Sequence, residues 1–248
     1  MNEHSILITA LLLYAGATLA YLARMKRAGT ILIFMGITLN TGFLAMQGFV
    51  GGDWYFALTV NELLALPAFE AMIVLYLFRT EQDASGRIVA IALVLCSLAA
   101  FIPVPEKALP SVKEQVLVAP LFFLTEAISM AFFSAGIFMA LAELIVCCDT
   151  GRAIRQCILW GFVVFTLSQV LGAVWAFIGW SYPFSWSARH LASASTWCLY
   201  AAILHAPYMR LSRRLYALLV AMGLLPISFI VFHHELSGAI LVLTGGAQ

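Results

Sequence analysis

Runs of about twenty apolar residues recur along the chain with short basic loops between them, and nothing else in the sequence constrains the fold as strongly. At 1.5 Å per residue, a helix needs about 20 such residues to cross roughly 30 Å of hydrocarbon. On that rule about eight spans emerge, at roughly 4–23, 29–50, 57–78, 88–105, 115–146, 155–178, 188–208 and 214–232. Backbone N–H and C=O groups in lipid must be satisfied within their own segment, so runs of this length fold as helices. The expected fold class is all-α, a polytopic membrane protein of about eight transmembrane helices. Residues 1–248 are expected to form one helical-bundle domain.

Composition agrees, with 63% of residues hydrophobic and 10% charged, where soluble domains carry about a quarter charged. A net charge of +1 and basic residues confined to short clusters speak against nucleic acid as a partner and for membrane lipid. The five cysteines, Cys96, Cys147, Cys148, Cys157 and Cys198, show no metal-ligand spacing. No C-x-x-C-H run occurs, so covalent c-type haem attachment to this chain is not expected. The first apolar run has no basic segment before it and its positive charges follow it. It therefore reads as a spanning helix rather than a cleaved signal peptide.

Charge bias sets the expected orientation. Arg24, Lys26, Arg27, Arg79, Arg87, Arg152, Arg155, Arg210, Arg213 and Arg214 fall in alternate loops, which are therefore assigned to the inside. Both termini and the loop near 179–188 are then expected outside. In a bacterial-type inner membrane this is the periplasmic face.

Several polar residues interrupt the spans: Asn40, Glu62, Glu70, Glu126 and Glu143. An ionisable group at the bilayer centre costs about 2.5–3.5 kcal/mol on insertion scales, so these side chains should face the bundle interior or a cavity. A proton path, a quinone site and partners for a cofactor are all compatible with Glu62, Glu70 and Glu126. A neutral Glu hydrogen-bonded between helices is the plainer alternative. Glu62 and Glu70 lie about 80° apart around a helix, on one sector but not necessarily in one site.

The histidines divide by position. His4 sits near the N-terminus, where a solvated residue is expected. His190 opens the seventh span and His205 closes it, roughly 22 Å apart along a helix, too far to share a metal. His233 and His234 end the eighth span on the side of His190. Imidazole is a common axial ligand of haem iron, although a histidine near an interface is more often simply solvated. Trp180, Tyr182, Phe184 and Trp186 crowd one short loop with Pro183. They read equally as an interfacial aromatic belt and as a stacking platform for a planar ligand such as a porphyrin or quinone.

Around this loop the chain contains Gly172-Ala173-Val174-Trp175-Ala176, then Trp180, then Phe184-Ser185-Trp186, and finally Thr196-Trp197 and Tyr200-Ala201-Ala202 with Leu204-His205. This pattern resembles the Trp-rich external segment, the WWD segment, of the CcsA/CcmC-type haem-handling membrane proteins of cytochrome c assembly, without a gap over more than thirty residues. Asn61-Glu62 and Leu236-Ser237-Gly238 carry a weaker likeness. The resemblance implies an eight-span fold and a non-covalent, b-type haem within the membrane ligated by His205. It also implies that Trp175, Trp180, Trp186 and Trp197 line porphyrin-binding surfaces.

The chain also departs from that pattern. Ser187-Ala188-Arg189-His190 replace the family's Asp-Pro-Lys-Glu run. Val118-Ala119-Pro120 and Ala239-Ile240 stand where the family has external histidines. Either His190 with His233 or His234 rebuilds an outer bis-histidine site, or only the inner haem remains.

The leading expectation is a haem-binding, haem-handling membrane protein of the cytochrome c assembly type, with a synthase-like activity left open and no catalytic residue assigned. The alternatives are a membrane subunit of a respiratory or multihaem cytochrome complex, acting as anchor, b-haem carrier or quinone site, and a structural relative without haem. Other membrane or c-type cytochrome subunits are the expected partners.

Overall fold

The computed structural model describes residues 3–47, 49–50, 53–54, 65–80, 116–146, 151–209 and 211–228. Its helices are α1 (Glu3–Leu22), α2 (Lys26–Gln47), α3 (Leu66–Thr80), α4 (Val118–Val146), α5 (Gly151–Trp180), α6 (Ala188–His205) and α7 (Arg213–Met222). Four of them, α1, α2, α4 and α5, are long and apolar enough to cross a membrane. The described residues are thus helical apart from one small ladder. The expected fourth span, about 88–105, lies outside them, as do the start of the third and the end of the eighth.

Boundaries follow local chemistry. Arg24 takes a left-handed conformation (φ 62°) at the end of α1. The Arg24 N–H donates to the Tyr21 carbonyl and the Met25 N–H to the Ala20 carbonyl, closing the helix with a Schellman turn. The chain then reverses directly into α2, and the two helices pack as an antiparallel hairpin. Helix α2 stops at Gln47, short of the expected end at about 50, because Phe49–Val50 pairs antiparallel with Asp53–Trp54. Gly51-Gly52 between those strands is the kind of pair that signals a two-residue hairpin. Helix α6 gives way at its end to a 3-10 turn over Ala206–Met209 that contains Pro207, which has no N–H to continue the ladder. A turn at Gly223 interrupts the eighth run, and helix resumes over 224–228 with Pro226 in its first turn.

The longest buried face belongs to α4, at 29 residues about 43 Å of helix. Helices α3, α5 and α7 all pack against it. Buried Ala119, Ala127, Ala131, Ala135 and Ala140 give α4 a thin profile that neighbours approach closely, as small residues do in membrane bundles. On α5, Ile154, Cys157, Ile158, Gly161, Phe165 and Ser168 form the buried stripe, at the three-to-four-residue spacing of one helix face. Leu159, Val163, Leu167, Val170, Val174 and Phe177 on the same helix are exposed. A helix apolar on both faces is one whose second face meets lipid.

Aromatic side chains lock these contacts. Tyr200 of α6 stacks on Phe133 of α4 with centroids 3.7 Å apart and planes 5° from parallel. The hydroxyl of Tyr200 reaches Gly223 beyond α7, in space that a Cβ would occupy. Phe133 also lies against Gly161, where an added Cβ would meet its ring at 2.7 Å. In the α1–α2 hairpin, Tyr14 fills the space beside Gly36 in the same manner.

Substituting Gly161→Val or Gly36→Val therefore overpacks a helix interface, at a cost of about 1–3 kcal/mol. Thermal unfolding of the detergent-solubilised protein should show both variants melting earlier than wild type. Gly42→Ala, at a position where an added Cβ meets nothing within 4 Å, should melt no earlier.

Candidate functional site

Helix α6 carries the candidate ligands at its two ends. At the C-terminal end, His205 Nδ1 lies 2.7 Å from the Ala201 carbonyl oxygen, one turn back. A carbonyl only accepts, so Nδ1 carries the proton and Nε2 keeps its lone pair. The His205 side chain is exposed, with Tyr208 next to it at 6.4 Å between ring centroids. An imidazole held through Nδ1–H to a carbonyl, with Nε2 open, is in the form that ligates a metal. The donor chemistry at His205 thus fits a haem iron.

At the N-terminal end, Ser187 caps the helix and its hydroxyl accepts from the His190 backbone N–H. His190 Nδ1 lies 2.7 Å from Ser185 Oγ and 2.9 Å from Ser187 Oγ. Phe184 lies beside the imidazole at 5.4 Å, and Trp186 meets Phe184 edge-on. Trp186 is 83% exposed and Tyr182 is exposed as well.

Other members of the aromatic set make contacts between elements, although Trp180 and Trp197 stay partly open to the surroundings. Trp175 packs against both Phe122 and Phe123 of α4, at 5.7 and 5.5 Å between ring centroids, and meets Trp180 edge-on. Trp197 donates from Nε1 to Thr166 Oγ1 at 3.0 Å and packs on Phe162, joining α6 to α5. The structure therefore separates the four tryptophans: Trp186 stands out on the loop, Trp175 and Trp180 join it to α4, and Trp197 is a helix–helix tie.

Glu126, wholly buried in α4, receives a hydrogen bond from Arg189 Nη2 to its Oε2 at 2.7 Å. The Arg189 guanidinium also lies over the Phe122 and Phe123 rings, at 5.8 and 6.0 Å. Burying a carboxylate is tolerable only with such a partner. Near the other end of α4, Glu143 accepts from Arg213 Nε at 3.1 Å. Asn40 and Glu70 are the buried polar groups facing Tyr14, at the meeting of α1, α2 and α3. Glu62, His233 and His234 lie outside the described residues, and His4 falls in the first turn of α1.

Ser185, Ser187 and Arg189 enter the sequence pattern only as members of the loop run, and Phe122 and Phe123 not at all, yet all five contribute here. Two signals were present. Ser187 stands three residues before His190, at cap spacing, and a cation in the first turn of a helix works against the helix dipole unless an acid receives it.

No protein-family model matches the chain. A stretch of 73 residues, 29% of the chain, is 34% identical to a cytochrome c biogenesis protein CcsA from Cyanidium caldarium and covers 25% of that protein. A stretch of 56 residues, 23% of the chain, is 45% identical to a cytochrome c biogenesis protein CcsA from Prochlorococcus marinus (strain MIT 9312) and covers 17% of it. The chain thus matches a quarter or less of the length of these relatives. With the four long apolar helices, this likeness supports an integral membrane protein related to cytochrome c biogenesis proteins.

Arg189→Leu should cost about 3 kcal/mol, because it strands the Glu126 carboxylate without its partner. Combining it with Glu126→Leu should restore most of the loss. A double-mutant cycle on unfolding in detergent measures the coupling, and simple additivity of the two single changes would show that the pair does not hold α6 to α4.

Proposed function

We propose that the chain is a haem-handling integral membrane protein of the cytochrome c assembly type. In this reading it has about eight spans, both termini outside, and the 181–187 loop on the periplasmic face of a bacterial-type inner membrane. The observation that carries the reading is His205. It closes the Thr196-Trp197 to Leu204-His205 stretch that resembles the assembly family, and its hydrogen bond to Ala201 leaves Nε2 ready to ligate. The partial likeness to the two CcsA proteins points the same way.

His205 would hold a b-type haem non-covalently through Nε2, with Tyr208 beside it. Bound there, the haem supplies a one-electron iron centre and a cargo that can be passed on. The chain's own residues bind and orient. Ala201 fixes the imidazole tautomer, Tyr200 on Phe133 holds the helix that carries it, and the aromatic loop offers apolar surface at the opposite end. Other membrane or c-type cytochrome components would be the partners, and thioether formation would take place on cysteines that this chain does not provide. In the alternative reading, a quinone-binding respiratory subunit, Glu62 or Glu70 would serve the quinone, because Glu126 is held by Arg189.

Purified protein should give a b-type reduced-minus-oxidised spectrum and pyridine haemochrome, with an amplitude that falls in His205→Ala. Wild-type protein that neither retains haem nor takes up added hemin would overturn the reading.

A further inference from the structure

We propose that one face of α5 is a binding site for an anionic phospholipid, with Arg152 and Arg155 taking the phosphate and the apolar residues beyond them taking an acyl chain. The inference does not depend on haem. It rests on α5 being long and apolar enough to cross a membrane.

The face follows from spacing and exposure. Arg152, Arg155, Leu159, Val163 and Leu167 succeed one another at intervals of three or four residues, which places them on one side of a helix. All five are exposed, whereas Ile154, Ile158, Gly161 and Phe165 between them are buried. The stripe is cationic at its start and apolar from there on. The twelve steps from Arg155 to Leu167 make about 18 Å of helix. One leaflet supplies about half of a hydrocarbon core of roughly 30 Å, so an acyl chain is of matching length. Trp160, half exposed beside Leu159, is the kind of residue that settles where headgroup gives way to hydrocarbon.

The two cations have no anion of their own. They stand at the start of α5, where the helix dipole works against positive charge, and no acid stands in that first turn. Among the described residues the arginines paired with acids are Arg189 and Arg213, not Arg152 or Arg155. Arg213, paired with Glu143, shows the same situation with the anion supplied by the chain. For α5 the lipid phosphate supplies it, and the guanidinium fork matches phosphate oxygens in geometry. Basic sites between membrane helices take anionic headgroups in this way. The apolar stripe decides the source of the phosphate, since a free phosphate ion would leave Leu159, Val163 and Leu167 without a role.

The test uses the full chain in neutral detergent, with bound lipid counted by native mass spectrometry. It is titrated with dioleoylphosphatidylglycerol, with dioleoylphosphatidylcholine and with inorganic phosphate. Wild type should bind phosphatidylglycerol saturably and more tightly than phosphatidylcholine, and phosphate should not displace it. Arg155→Gln should weaken that binding about fivefold and the Arg152→Gln/Arg155→Gln pair about twenty-five-fold, the factor expected for each cation near an anionic surface. Arg155→Lys, which keeps the charge, should lose less. Arg27→Gln, an exposed cation in the first turn of α2 and away from the stripe, should bind as wild type does. Unchanged melting of the lipid-free variants would show that they are folded, as expected for exposed side chains.

Equal binding of the two lipids would overturn the inference, as would displacement of phosphatidylglycerol by phosphate. A loss in Arg27→Gln as large as that in Arg155→Gln would overturn it too, because diffuse charge rather than a site would then account for the binding.

Discussion

A wholly buried carboxylate in an otherwise apolar helix is the constraint on which the loop end of this protein depends. Glu126 has no access to solvent, so its charge must be answered within the bundle, and Arg189 answers it from the first turn of α6. The guanidinium reaches it across the faces of Phe122 and Phe123, which in turn hold Trp175. One ion pair thus fixes where α6 begins, which way the 181–187 loop returns from α5, and where the residue after Arg189 is placed. Glu143 and Arg213 repeat the device for α7 near the other end of α4. In both cases the cation sits at a helix N-terminus, where the dipole disfavours it, and the acid of α4 offsets that cost.

Much of the scaffold was legible because membrane helices are specified by run length. The helices expected at 4–23, 115–146 and 188–208 agree with α1, α4 and α6 with its 3-10 extension to within three residues at each end, and of these α1 and α4 are long and apolar enough to cross a membrane. Such offsets are set by local caps that hydropathy does not see, such as the left-handed Arg24. The pairing of Phe49–Val50 with Asp53–Trp54 is hidden in the sequence because the apolar run of α2 continues through Phe49 and Val50 and conceals a change of period. Partners were the other gap. Glu126 was recognisable as a group needing an interior partner, but nothing local to it names a residue 63 positions away.

The tryptophans show why composition left the candidate site ambiguous. Counting aromatic residues near 171–208 treats them as one feature, whereas the fold separates them by depth. Trp175 lies one turn into α5 from Trp180 and is committed to packing against α4, and Trp197 spends its N–H on Thr166. Trp186, near the tip, is mostly solvent-exposed. An aromatic ring costs little to expose in a membrane interface, so the sequence could place any of the four in any of these roles.

The two histidines of α6 are held by different chemistry, and the difference matters under the haem-handling reading. Ala201 offers His205 a main-chain carbonyl inside a helix, a partner that accepts and cannot donate or turn away. The imidazole tautomer there is fixed for as long as the helix persists. Ser185 and Ser187 offer His190 hydroxyls, which rotate about their Cβ–Oγ bonds and can donate as well as accept. A ring whose Nδ1 partners can reverse their roles is not held to one tautomer. A rigid α6 keeps the two rings roughly 22 Å apart, too far for them to share one metal.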